Sequence, residues 1–409
     1  MEYAQAILGL ILFILLAYVL SSDRKNIPWK MVLSAITLQF LLGFLLLNAP
    51  LIRDFILMFN KVVLTLDQAT KDGASFIFGY IGGGNPPFEI KNPANNFIIA
   101  FQVLPIIIVV SAISSLLFHW GILQKVIGAF SWLLRKSLKT DGATGMGVAS
   151  SIFLGIIESP LFIKPYLKTL PTSGLFTLLT AGMATVAGSV MVLYSTILSA
   201  AVPDAAAQIL VASILSAPAA IMISQILIPP SDISLEEQPP LKKHTSSAFE
   251  AIINGTNEGI QMVIGITGIL LVLFAFISLI NMGLSTLPFA ESFTIQQLAG
   301  YLFIPFVWLM GIDSSEVINA GQLMGTKLVL NEFVAYSQLG SMMVTNKGKV
   351  IMTYAMCGFA NFGSLGILVG GLGSIMPERK DEIVRLSLKA VFAGTLATMF
   401  TGAVIGLIF

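Results

Sequence analysis

Long apolar runs alternate with short polar stretches along this chain. Runs at 6–20, 31–47, 97–118, 175–198, 205–227, 250–282, 350–375 and 386–409 approach or exceed the roughly 20 residues that cross a bilayer. Residues 51–70 are patterned differently. Leu51, Phe55, Phe59, Val62, Val63 and Leu66 share one helical face, with Asp54, Asn60, Lys61 and Asp67 on the other. That amphipathicity predicts a helix lying in the interface or beneath other helices. A Gly-, Pro- and Asn-rich loop at 83–96 ends it.

Two stretches break the apolar pattern. In Ser150-Ser151-Ile152-Phe153-Leu154-Gly155-Ile156-Ile157-Glu158-Ser159-Pro160, an apolar arm ends at Gly155 and a carboxylate follows. Ser159 suits an N-cap and Pro160 the first position of a new helix, so two short half-helices are expected to meet at a tip carrying Glu158. In Leu309-Met310-Gly311-Ile312-Asp313-Ser314-Ser315-Glu316 an apolar arm again ends at Gly-Ile, and Asp313 with Glu316 fits a capping box. Interrupted hydrophobic segments at corresponding places in two halves point to the binding site of a secondary transporter.

The basic residues orient the chain. Arg24 and Lys25 follow the first run instead of preceding it, which predicts an uncleaved helix, not a signal peptide. Placing Lys125, Arg135, Lys136 and Lys139 in the cytoplasm puts most of the 22 Lys and Arg there, and both termini outside. Lys347 and Lys349 fall outside against this bias. The first broken hairpin, 141–170, then enters from the cytoplasmic face and the second, 297–340, from the opposite face, so the halves are related by inversion. The predicted organisation has five parts. N-terminal helices with the interfacial and scaffold helices occupy 1–140, the first repeat 141–228 and a cytoplasmic linker 229–249. A long scaffold helix with its loop occupies 250–296, and the second repeat 297–409.

Composition agrees with this all-α, polytopic membrane class: 56% hydrophobic and only 11% charged residues, against about 25% charged in a soluble domain. A formal net charge of +1 supplies no basic face for nucleic acid. The single cysteine, Cys357, excludes an internal disulfide, and His119 and His244 form no metal-binding spacing.

The candidate chemistry lies inside the membrane. Glu158 and Glu332 are intramembrane acids, hence functional candidates by default. Asn361 and Ser364 are three residues apart and share a helix face, within a glycine-rich segment whose Gly358, Gly363 and Gly366 weaken the helix. Thr185 and Ser189 mark a matching interruption in the first half. Two carboxylates, an amide and a hydroxyl suit several neutral hydroxyl and N–H donors. Phe359, Ile156 and Ile157 supply apolar walls, and no arginine is near to take an anionic substrate. The residues alone therefore predict a neutral, polyhydroxylated small molecule with a flat or apolar part.

At these residues the chain resembles the concentrative nucleoside transporter family, over nearly its whole length. Asn331-Glu332-Phe333-Val334-Ala335-Tyr336 and Gly358-Phe359-Ala360-Asn361-Phe362 match its two most specific signatures. Asp72-Gly73-Ala74-Ser75-Phe76-Ile77-Phe78-Gly79 and Val103-Leu104-Pro105 support them. The resemblance implies eight spanning helices, two oppositely oriented re-entrant hairpins, an interfacial helix and a homotrimer in the cytoplasmic membrane of a bacterium. It implies that Glu332, Asn361 and Ser364 hold ribose hydroxyls beside Phe359, and that Glu158 reads the base near Val190 and Met262. The family usually carries Gly-Gln-Thr/Ser-Glu where this chain has Gly155-Ile156-Ile157-Glu158. Two polar base contacts are lost, which points to purine nucleosides.

The coupling ion follows from a second departure. Sodium-coupled members carry Asn at the position of Ser151 and Ser at that of Thr185. A vestigial cation site and a proton as coupling ion are therefore expected, with Glu158 and then Glu332 as carriers, because an apolar surrounding favours the neutral form of a carboxyl. No other cofactor is implied. A sodium-coupled or pyrimidine-accepting transporter is the alternative. An intramembrane hydrolase using Glu158 and Glu332 as acid and base would need a nucleophile or metal motif that the sequence lacks.

Overall fold

The computed structural model describes residues 2–89, 98–230, 245–287 and 293–409. The expected loop 83–96 and linker 229–249 fall partly outside these residues. The helices are α1 (Glu2–Val19), α2 (Trp29–Asn48), α3 (Pro50–Phe78), α4 (Ile99–Gln102), α5 (Pro105–His119), α6 (Ile122–Leu138), α7 (Gly142–Ser151), α8 (Glu158–Leu161) and α9 (Thr172–Ala184). They continue as α10 (Gly188–Leu198), α11 (Ala205–Leu227), α12 (Ala248–Leu284), α13 (Ile295–Trp308), α14 (Val317–Val329), α15 (Glu332–Leu339), α16 (Asn346–Met356), α17 (Phe362–Ile375) and α18 (Lys380–Ile408). No strand occurs among the described residues. Seven segments among them are long and apolar enough to cross a membrane. The eighth predicted span, 350–375, is divided into α16 and α17, neither long enough alone.

One order of elements occurs twice. A long apolar helix (α5, α12) leads to a helix of 14 to 17 residues (α13, α6). A short helix pair follows (α7/α8, α14/α15), then an interrupted helix (α9/α10, α16/α17) and an unbroken one (α11, α18). The core is where α9, α11, α16 and α18 meet; α9 and α11 are buried on nearly every face, as expected of helices hydrophobic all round.

The interruptions have local causes. α9 stops at Thr185, whose backbone is extended, and α10 starts at Gly188. The backbone groups freed there are taken up by the first short pair: Gly188 N–H donates to the Phe153 carbonyl at 2.8 Å. Ser213 of α11 accepts from Val186 N–H at 3.4 Å and donates to the Ile152 carbonyl at 3.2 Å. In the second half α16 ends at Met356, and Gly358 turns the chain with φ +146°. A Cβ at Gly358 would lie 2.7 Å from the Met183 carbonyl oxygen. The two interruptions therefore lie back to back.

Several local readings change. α7 ends at Ser151, before Gly155, and α8 begins at Glu158 itself. Ser159 is therefore inside the helix and caps nothing, and its buried hydroxyl has no hydrogen-bond partner. The 309–316 stretch joins α13 to α14 and is not a counterpart of the Glu158 turn; that position belongs to Leu330-Asn331-Glu332, between α14 and α15. Asp313 and Glu316 form no capping box. Asp313 accepts from Ser315, while Glu316 reaches across to Thr345 N–H at 2.9 Å, at the start of α16. A long-range donor has displaced the local one. Asp67 is not on a free polar face of α3, because it pairs with Lys71 and accepts from Thr196 of α10. α6 is an element the sequence reading does not name: it carries three of the four basic residues assigned to the cytoplasm, Lys125, Arg135 and Lys136, with Lys139 just past its end. Gln124, Ile127, Ser131, Leu134 and Leu138 nonetheless recur at helical spacing and are its buried edge.

Contacts tie the helix ends together at the two ends of the molecule. Lys347, at the start of α16, pairs with Glu2 at 2.9 Å and stacks on Tyr3. At the other end Ser22 N–H donates to the Leu227 carbonyl, and Arg379 donates to the carbonyls of Leu167 and Leu170.

Only 6% of the apolar window of α12 is buried within the protein. Its contact with α5 is made close by glycine: a Cβ at Gly259 would lie 2.6 Å from Ile108 Cα, and one at Gly255 equally near the Ser111 carbonyl oxygen. Such small-residue contacts are how helices approach in lipid. Gly259→Ala should lower the thermal unfolding midpoint in detergent, since overpacking costs about 1–3 kcal/mol. Gly265→Ala and Gly268→Ala, with open space at the Cβ, should not lower it.

Candidate functional site

α15 and α17 start side by side, joined by Asn361 and Glu332, and each start carries an asparagine. Asn331 Oδ1 accepts from Val334 N–H at 3.1 Å and caps α15. Asn361 Oδ1 accepts from Ser364 N–H at 2.8 Å and caps α17. Asn361 and Ser364 are thus joined through a cap, not as two side chains on one helix face. Capping fixes both asparagines and presents the positive ends of two helices to one space.

Glu332, the first residue of α15, lies between these ends and is 3% exposed. Its Oε2 accepts from Asn361 Nδ2 at 2.8 Å, and its Oε1 accepts from the Tyr194 hydroxyl at 2.5 Å. Both carboxylate oxygens therefore have one protein donor each, and each retains acceptor capacity. Tyr194 escaped the sequence reading. It is the one hydroxyl-bearing aromatic in α10, four residues after Val190 and so on the same face. Its ring packs against Tyr336 with centroids 5.2 Å apart.

A cavity of about 80 Å³ opens in front of Glu332. Val190, Leu193 and Tyr194 of α10, Ile266, Leu270 and Leu273 of α12, and Asn331, Phe359, Asn361, Gly363, Ser364 and Ile367 complete its wall. The polar groups converge on one side, and aliphatic side chains with Phe359 cover the rest. Ligand pockets span roughly 300–1,000 Å³, so a ligand of that size requires the wall to part.

The predicted site residues divide into groups. Val190, Glu332, Phe359, Asn361 and Ser364 line this cavity together. Ile156, Ile157 and Glu158 do not. Ile157 packs at Gly371, one helical turn beyond Ile367 on α17, and Ile156 packs at Gly182 of α9. The Glu158 carboxylate folds back over Gly155. Met262 lies a turn from Ile266, its sulfur 3.9 Å from the Ser111 hydroxyl. Ser151 and Thr185 each donate to their own helix, to the carbonyls of Val148 and Ala181, both at 2.8 Å.

Comparison with known proteins follows the same lines. Residues 208–406 match the family described as Na+ dependent nucleoside transporter C-terminus, and residues 8–81 match its N-terminus counterpart. Residues 100–201 match a family described as nucleoside recognition. The chain is 34% identical over 412 residues to the nucleoside permease NupC of Helicobacter pylori, covering 98% of this chain and 97% of that one. It is 33% identical to solute carrier family 28 member 3 of Rattus norvegicus over 98% of this chain, which spans 58% of that longer protein. The solved structure of CNTnw in an inward-facing substrate-bound state superposes with a TM-score of 0.90 at 33% identity, over 99% of this chain and 98% of that one. The whole length, both signature segments and the fold agree: the chain belongs to the concentrative nucleoside transporter family.

Proposed function

We propose that this protein is a secondary active symporter that takes up nucleosides, with a preference for purine nucleosides such as inosine, guanosine and adenosine, driven by the proton gradient. The observation that carries the reading is Glu332, whose two oxygens are fixed by Tyr194 and Asn361 at the meeting of two capped helix starts. Such a carboxylate is prepared to accept from the vicinal hydroxyls of a ribose, with Asn361 and Ser364 beside it and Phe359 against the sugar or base. Glu158, Ile156 and Ile157 take the base side together with Val190 and Met262. Their side chains approach from across α17, so the base site is completed as the first short pair moves.

The repeated order of elements supports an inverted repeat of eight spanning helices, in which α7/α8 and α14/α15 are re-entrant hairpins entering from opposite faces. α3 serves as the interfacial helix. Homotrimer formation, placement in a bacterial cytoplasmic membrane and termini on the outer face belong to the same reading. Proton coupling is supported by the departures at Ser151 and Thr185 and by Glu158, which has no ion-pair partner among the described residues. One proton per cycle gains about 2.3 kcal/mol per 100 mV of membrane potential, enough for concentrative uptake. Sodium coupling, the property in the description of the matched family, is the competing reading.

Three outcomes are expected. Glu332→Gln replaces a charged acceptor worth roughly 1.5–3 kcal/mol, so nucleoside binding measured by calorimetry should weaken about ten-fold or more. Normal binding by this variant would place the site elsewhere. Uptake of labelled inosine into proteoliposomes should rise with an inward proton gradient and ignore sodium. Uptake that follows a sodium gradient at constant pH and survives a protonophore would overturn the coupling. In competition against labelled inosine, guanosine and adenosine should displace more label than uridine or cytidine; the reverse order would refute the base preference.

A further inference from the structure

Lys327 lies near the end of α14, five residues before Glu332, and is 1% exposed. An unpaired buried ammonium is costly, yet among the described residues no ion pair reaches it. Its Nζ donates to the Ala355 carbonyl at 3.2 Å and to Thr398 Oγ1 of α18 at 3.3 Å. Ala355 is next to the last residue of α16, where the helix stops inside the protein. A helix end leaves carbonyls without intrahelical donors and carries partial negative charge. Here the second short pair supplies the donors: Lys327 to Ala355, and the Tyr336 hydroxyl to the Thr353 carbonyl at 2.8 Å.

In the first half, among the described residues, the junction holds a neutral side chain instead of a cationic one. There α7 ends beside the α9/α10 interruption, and a neutral hydroxyl, Ser213 of α11, joins the Ile152 carbonyl to Val186 N–H. Ser151 and Thr185, the positions at which sodium-coupled relatives differ, flank that junction. In the second half the corresponding helix end meets an ammonium, with a hydroxyl of the following long helix, Thr398, as its second acceptor. A carbonyl at a broken helix end is the kind of oxygen that coordinates a coupling cation in transporters, and the Thr398 hydroxyl adds a second oxygen beside it.

We propose that Lys327 is a tethered cation: its ammonium fills, beside the α16/α17 interruption, a place that a free monovalent cation would otherwise take, so that the second half offers no ion site to solvent. Two consequences follow. Only the first half exchanges a coupling ion, so one half is permanently charged while the other cycles. The ammonium is held by its own chain on the Ala355 carbonyl and Thr398 Oγ1, so this charge is not exchanged with solvent.

The test uses the full-length protein with Lys327→Ala, which empties the place, and Lys327→Met, which fills it without charge. Thermal unfolding midpoints in detergent, and nucleoside exchange in proteoliposomes with equal pH and salt on both sides, are read in choline, ammonium, methylammonium and sodium chloride at one ionic strength. In choline, Lys327→Ala should exchange about ten-fold more slowly, the loss expected for one charged hydrogen bond, and melt lower. A small cation should recover both several-fold, while wild type and Lys327→Met respond to none. The proposal is overturned if Lys327→Ala matches wild type in choline, if it is impaired equally or aggregates in all four salts, or if Lys327→Met is rescued alike. The exchange readout rests on the nucleoside reading. Absence of exchange in wild type refutes that reading alone, because the midpoints still decide the role of Lys327.

Discussion

A chain that stops a helix inside a membrane must find a protein partner for every backbone group it frees, since lipid offers none. That constraint organises this molecule. The α9/α10 interruption is closed by Phe153 and Ser213, and the α16/α17 interruption by Lys327, Tyr336 and Asn361. Each set of partners comes largely from the short helix pair of the same half. The short pairs are therefore the completion of the interrupted helices, not appendages to them, and the cavity in front of Glu332 lies beside the second of them. Glu332 is the clearest case: one turn of chain holds it between the cap of α15 and the cap of α17.

The architecture was legible because its signal is coarse. Bilayer thickness demands long apolar runs, and the 205–227 run coincides with α11 residue for residue. The interruptions were legible through glycine and through polar residues embedded in apolar sequence, as at Thr185 and Asn361. The central acid was legible for a related reason: a carboxylate such as Glu332 has no cheap place in a membrane unless it is used.

What the sequence hid were partnerships across distance. Tyr194 is separated from Glu332 by 138 positions, and nothing local distinguishes a tyrosine that buttresses a carboxylate from one that fills core. Glu316 has the spacing of a capping box but is claimed by Thr345. Ser159 has the identity of a cap and lies two residues too late, the cap position being Ile157. In each case local grammar offered a partner and tertiary packing supplied a different one. The grouping of the predicted site residues was hidden likewise, because whether Ile157 or Ser364 faces the cavity depends on which side of α17 each approaches.

Back-to-back contact of the two interruptions also bears on how such a chain drifts over generations. Met183 meets the bare backbone of Gly358 on one side and of Gly394 on the other. These three positions, in α9, in the α16/α17 interruption and in α18, belong to both halves, yet they share a single volume. A methyl group gained at Gly358 would meet the Met183 and Ala184 backbone, and one at Gly394 the Met183 Cβ, so no smaller side chain at 183 makes room for either. The halves are free to diverge in sequence across most of their length. Here they meet through backbone that no substitution removes, so glycine is required at 358 and at 394 whatever the rest of either half becomes.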